Sequence, residues 1–72
     1  MFLGVDNMID KDIEKLKLNE QIIEILEENK IIKINQLVNK TKTKLKEIGL
    51  MGYQISEIEV KLQLEGLDLK SK

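Results

Sequence analysis

The strongest constraint on the fold is a series of short apolar stripes, separated by residues that begin or end helices. Within the stripes, apolar side chains recur three and four positions apart, as they do on one face of an α-helix. Asn19 and Thr41 precede stripes and are suited to cap the first turn of a helix, whereas Gly66 is suited to end one. Helices this short are not stable alone in water, so tertiary packing must hold them together.

The stripes predict four helices after a short turn at residues 13–18. The helices are expected at residues 20–29, 31–40, 42–48 and 53–65. The first and second pairs each form a helix–hairpin–helix-like unit, which is a weak internal repeat. The first hairpin is expected to break at Asn29-Lys30, because Asn tolerates the left-handed conformation, and Leu67 and Leu69 are expected to fold back on the core. The predicted fold class is all-α, a compact bundle of four to five short helices containing helix–hairpin–helix-like units.

The chain is long enough for one small domain. A domain of 72 residues buries only roughly 60% of its unfolded surface, but 22 of these residues are Ile or Leu and can form a dense core. The predicted organisation is a lead-in at residues 1–12, a helical domain at 13–69 and a frayed tail at 70–72. Within the lead-in, Phe2, Leu3 and Val5 are expected to dock on the domain.

The composition excludes most catalytic chemistry. The chain has no Cys and no His, which removes disulfides, the usual zinc and iron–sulfur ligands, and the Ser–His and Cys–His nucleophile pairs. Carboxylates on the first and last helices are expected to be solvated, because a chain of this length can hardly build the pocket that shifts a pKa. We therefore expect no enzyme activity, no catalytic residue, no metal site, no cofactor and no small-molecule substrate.

The chain carries no sequence signal for a membrane or for secretion. No apolar run approaches the roughly 18–20 residues of a membrane span. The first eight residues include Asp6 and no basic residue, which is not the pattern of a signal peptide. These features predict a cytoplasmic protein that does not bind a membrane.

The charges are unevenly distributed along the chain. Residues 1–39 carry five Lys and eight acids, residues 40–46 carry four Lys and no acid, and residues 47–72 carry three Lys and five acids. The net charges are therefore −3, +4 and −2, which sum to the formal charge of −1. One basic strip lies between two acidic segments.

The basic strip is a candidate surface for nucleic acid. Lys42 and Lys46 are four residues apart and share a helical face. The candidate nucleic-acid-binding residues are Lys40, Thr41, Lys42, Lys46 and Gly52. Binding by exposed lysines to phosphates would be weak, salt-sensitive and blind to sequence. The alternative is a solvated surface with no ligand.

Five segments between residues 13 and 69 resemble the C-terminal domain of the bacterial RNA polymerase α subunit. They are IEKLKL (13–18), IL (25–26), INQLVNKT (34–41), LKEIGLMG (45–52), and ISEI with EGLDL (55–69). Their order and spacing agree with the family, with one residue fewer in the hairpin after Gly52. The resemblance covers nearly the whole chain and implies a compact domain with two helix–hairpin–helix-like units. It also implies a role in transcription, since the family binds the minor groove of AT-rich DNA and contacts transcription activators.

The DNA contacts of the family fall on residues that suit DNA poorly. The family's Arg at the start of the first long helix falls on Gln21, and its Asn one turn later falls on Glu24, whose carboxylate repels phosphates. After Gly52 the family continues with two lysines and a serine, where this chain has Tyr53 and Gln54. The resemblance therefore implies a retained scaffold whose DNA contacts have been replaced.

Three departures from the family favour a protein partner. Ile22 lies where the family usually has a small polar residue. On the last helix Val60 and Leu64 form a second apolar line, with Tyr53 before them, although another line already faces the core. The candidate protein-interface residues are Ile22, Tyr53, Val60 and Leu64. The lead-in, a second copy of the chain or another protein would cover the second line.

The leading hypothesis is a non-catalytic module that acts in transcription or its regulation by binding protein, either the transcription machinery or itself, with DNA contact weakened or lost. A first alternative is a DNA-binding helix–hairpin–helix module that uses Gly52 and the strip Lys40–Lys46. A second is a structural or dimerisation domain of a larger assembly.

Overall fold

Every helix expected from the sequence is present in the computed structural model, which describes residues 10–70. A 3₁₀ helix at Ile13–Leu16 is followed by α1 (Glu20–Glu28), α2 (Ile34–Val38), α3 (Lys42–Glu47) and α4 (Gly52–Leu64). Within residues 10–70 the only strand-like pairing is an isolated antiparallel bridge. The all-α prediction is confirmed. The predicted docking of Phe2, Leu3 and Val5 lies outside the described residues, as do Ser71 and Lys72 of the predicted frayed tail. Lys70 belongs to the same predicted tail, but its backbone N–H donates to the Lys40 carbonyl at 3.2 Å.

The predicted N-caps of α1 and α3 are confirmed. The side chain of Asn19 accepts a hydrogen bond from the Gln21 N–H at 2.8 Å, and Thr41 Oγ1 accepts one from the Lys44 N–H at 3.1 Å. Each bond satisfies a backbone donor that has no partner within the first turn of the helix. The residues before these two helices therefore set where the helices begin.

Helices α1, α3 and α4 end in the same way. Each is followed by a residue with positive φ, which is Lys30, Gly49 or Gly66. The next residue is apolar, and its N–H bonds to a carbonyl five residues earlier, the pairs being Ile31–Leu26, Leu50–Leu45 and Leu67–Leu62. This arrangement satisfies helix carbonyls and turns the chain back onto the core. The prediction that Gly66 ends the last helix is confirmed.

The first hairpin differs from the prediction in two respects. The left-handed residue is Lys30, at φ 63°, and not Asn29, which stays at φ −100° while its side chain donates to the Ile25 carbonyl. Helix α2 also begins at Ile34 and not at residue 31. The chain just before α2 is extended, because Ile32 pairs with the N-terminal segment of the domain and Lys33 is the N-cap.

The N-terminal segment is attached to this hairpin. The Ile13 N–H donates to the Ile32 carbonyl, and the Ile34 N–H donates to the Lys11 carbonyl, both at 2.9 Å. The side chains of Asp12 and Lys33 add an exposed ion pair at 3.1 Å. These contacts place the 3₁₀ helix against the α1–α2 hairpin.

A single apolar core joins all the helices. Its buried members are Ile13, Leu16, Leu18, Ile22, Leu26, Ile31, Ile34, Leu37, Leu45, Leu50, Ile55, Ile58 and Leu62. Leu67 and Leu69 are partly buried and pack against it, which confirms that the chain after α4 folds back. The core uses one side of α4 and leaves the other side of that helix in contact with solvent.

Candidate interaction surfaces

The positions that match the family's first DNA contacts lie on an open surface. Gln21 and Glu24 are both exposed on α1. The same helix exposes three further carboxylates, Glu20, Glu27 and Glu28. This acidic face of α1 has no basic residue within the helix, so it repels phosphates and attracts cationic groups.

The fold brings the start of α1 close to the first turns of α4. The backbone N–H of Asn19 donates to Glu57 Oε2 at 3.0 Å, across 38 residues of sequence. Tyr53 lies one turn before Glu57 on the same side of α4, and the residue is 69% exposed. The start of α1 and the exposed Tyr53 therefore border a common surface.

Gln54 has a structural role that the sequence reasoning missed. Its side chain is only 6% exposed, and its Oε1 accepts a hydrogen bond from the Met51 N–H at 2.8 Å. Because this oxygen caps α4, it is not free to contact a ligand. Gln36 acts in the same way on α2, where its Oε1 accepts from the Ile32 and Lys33 N–H groups at 2.7 and 2.9 Å. A Gln at the third position of α2 and of α4, the second helix of each hairpin, is the sequence feature that could have predicted this role.

Gly52 is the first residue of α4 and does not have positive φ, unlike Gly49. A Cβ atom at this position would meet no heavy atom within 4 Å. Nothing in the described chain therefore requires glycine at this position.

Helix α4 carries a face opposite the core that no other part of residues 10–70 covers. We define the outer face as Tyr53, Ser56, Val60, Gln63 and Leu64. Val60 and Leu64 are 54% and 75% exposed, and Met51 at the N-cap is also exposed. The outer face has no charged residue across three helical turns. Such a surface is typical of a contact with another protein.

Ile22 does not belong to this interaction surface. It was predicted to contact a partner, but its side chain is 1% exposed and lies in the core. The prediction is wrong because Ile22 and Leu26 share the face of α1 that packs inward. The side chain of Ile22 fills part of the interior.

The basic strip is partly neutralised by its own surroundings. Lys42 forms an ion pair with Glu59 at 3.1 Å, and Lys44 lies 3.9 Å from Glu47. Thr41 Oγ1 is already engaged as the cap of α3. Lys40 and Lys46 remain as cations with no ion pair within residues 10–70.

A groove of about 900 Å³ adjoins the strip, between α3 and the segment after α4. Its charged lining includes the cations Lys42 and Lys70 and the carboxylates Glu59 and Asp68. Since the two signs are balanced, the groove does not favour an anion.

Other kinds of site are absent from the described residues. No group of three acidic side chains within residues 10–70 is placed to hold a metal ion. None of the helices in that range combines the length and apolar character that a membrane span requires.

Comparisons with known proteins give no relative for this chain. No model of a known protein family matches it, and no curated protein sequence does so either.

Proposed function

We propose that this chain is a non-catalytic protein-binding module that acts in transcription or its regulation, on the scaffold of the RNA polymerase α C-terminal domain. The resemblance in the sequence is the basis for the role in transcription. The observation that carries the shift from DNA to protein is the exposed pair Gln21 and Glu24 on an acidic helix, at the positions of the family's DNA contacts.

The outer face of α4 supports the proposal. The face exposes Tyr53, Val60 and Leu64 and has no charge. Its desolvation by a partner therefore costs little free energy. It borders the acidic face of α1 through the contact between Asn19 and Glu57. Together these surfaces suit a protein partner better than a polyanion.

A titration with DNA tests this function. Fluorescence anisotropy with a labelled AT-rich duplex at low salt should give no saturable binding by the wild-type chain. Binding that disappears in the double variant Lys42→Glu/Lys46→Glu would instead support the DNA-binding alternative that uses the basic strip, because removing phosphate contacts removes affinity.

A gain-of-function variant tests the scaffold itself. We expect Gln21→Arg combined with Glu24→Asn to acquire measurable affinity for the same duplex, since it restores the family's residue types at two exposed positions. The matched control is Glu28→Arg, which changes the net charge by the same +2 on the same helix. Equal binding by the variant and the control would show only a charge effect and would count against the retained scaffold.

A further inference from the structure

We propose that the outer face of α4 binds the same face of a second copy of this chain, with the two helices antiparallel about a two-fold axis. The inference rests on the proposed function only in that this face contacts protein. It adds that the partner is a second copy of the chain. The acidic face of α1 would then stay available for other proteins.

The outer face is suited to a partner surface that is also uncharged. Charged residues make up 35% of the chain, yet the five positions of the outer face carry none. The opposite side of α4 is already occupied, because Ile55, Ile58 and Leu62 are buried in the core. A helix that is apolar on two sides leaves one side for a second molecule unless its own chain covers it.

The two largest exposed side chains of the outer face lie near its two ends. Tyr53 and Leu64 lie equally far from the midpoint between Ile58 and Glu59. In an antiparallel pair of helices, residues equally far from the two-fold axis face each other. Tyr53 of each copy therefore meets Leu64 of the other, while the two Val60 side chains lie beside the axis. Each large exposed side chain is covered by one from the second copy.

The charges at one edge of the face are arranged in nearly the same way, about a centre half a residue from that midpoint, and have opposite signs. Glu57 and Lys61 flank the outer face on one edge and are equally far from Glu59. The antiparallel arrangement places Glu57 of one copy near Lys61 of the other, twice in the dimer. Lys61 has no ion pair within residues 10–70, whereas Glu59 on the other edge is held by Lys42. This self-complementary charge pattern favours a second copy over an unrelated helix.

Sedimentation equilibrium of the full chain is the first test. We expect a reversible monomer–dimer equilibrium, because a single helix face is smaller than the ~800 Å² per partner of a standard stable interface. Leu64→Asp should raise the dimer dissociation constant by at least about tenfold, since it buries a charge at the contact. Its circular dichroism and thermal unfolding as a monomer should match the wild type, because Leu64 is 75% exposed.

A charge exchange is the second test. Lys61→Glu and Glu57→Lys should each weaken self-association, by about threefold to tenfold at low salt. An equimolar mixture of the two variants should associate again, because every edge pair in the mixed dimer is then of opposite sign. Lys46→Glu is the matched control on α3 and should leave association unchanged.

Three results would overturn the proposal. The first is a monomer at every concentration up to about 1 mM, which would place any dissociation constant above that concentration. The second is a dimer that tolerates Leu64→Asp. The third is a chain that dimerises only after deletion of residues 2–9, which would assign the face to the lead-in. None of these results depends on the DNA titration, so the dimer and the proposed function can fail separately.

Discussion

At the scale of single residues, the least expected feature is a lysine in the left-handed conformation at the end of α1. Lys30 has φ 63° and occupies the place that Gly49 and Gly66 occupy after α3 and α4. A side chain with a Cβ atom pays a steric penalty there that glycine avoids. The hydrogen bond from Ile31 to the Leu26 carbonyl and the burial of Ile31 hold the turn despite this penalty.

Replacing Lys30 with glycine should stabilise the domain. We expect Lys30→Gly to increase the free energy of unfolding by about 0.5–1 kcal/mol, because it removes the left-handed penalty at an exposed site. Chemical denaturation monitored by circular dichroism measures the change. The control is Lys46→Gly inside α3, which should destabilise by about 1 kcal/mol. A loss of stability in both variants would contradict the role assigned to the turn.

At the scale of elements, the second helix of each hairpin is capped by a glutamine in its own first turn. Gln36 and Gln54 both accept hydrogen bonds from backbone N–H groups at the N-cap. The N-cap residues are Lys33 and Met51, whose own side chains do not supply the usual capping oxygen. The two hairpins therefore share a start signal as well as a stop signal, which gives the internal repeat a physical basis.

Removing the buried cap should weaken α4. We expect Gln54→Leu to lower the free energy of unfolding by about 1–2 kcal/mol, because it keeps the bulk of the side chain but leaves the Met51 N–H without its acceptor. Urea denaturation measures the loss. Gln21→Leu, at an exposed position of α1, is expected to change stability by less than about 0.5 kcal/mol. Equal effects at the two positions would contradict the capping role.

At the scale of the whole molecule, the segment before α1 is part of the folded unit. Ile13 is completely buried, and its backbone pairs with the extended chain before α2. In a domain this small, the core has few side chains to lose. The 3₁₀ helix therefore contributes to the stability of all four α-helices.

Truncating the side chain of Ile13 should greatly reduce the stability of the domain. We expect Ile13→Ala to reduce the free energy of unfolding by about 2–5 kcal/mol, through lost burial and the cavity left behind. The midpoint of urea denaturation reports the change. Ile32→Ala provides a comparison at a partly exposed position on the paired segment and should cost clearly less. A small effect at Ile13 would mean that the segment is only loosely attached.

The sequence alone determined the number, order and approximate limits of the helices. Asn19, Thr41 and Gly66 act through their own nearest backbone groups, so their effects are readable from local order. The apolar spacing likewise determined the core face of α4.

Only the tertiary structure decided which apolar and polar side chains are accessible. Periodicity cannot tell whether Ile22 faces a partner or the interior, since both are apolar surroundings and depend on packing between distant elements. The extended start of α2 depends on its pairing with residues 11–13, and the neutralisation of Lys42 depends on Glu59, seventeen positions away. Contacts of this range arise from the arrangement of helices in space, which short-range spacing does not encode.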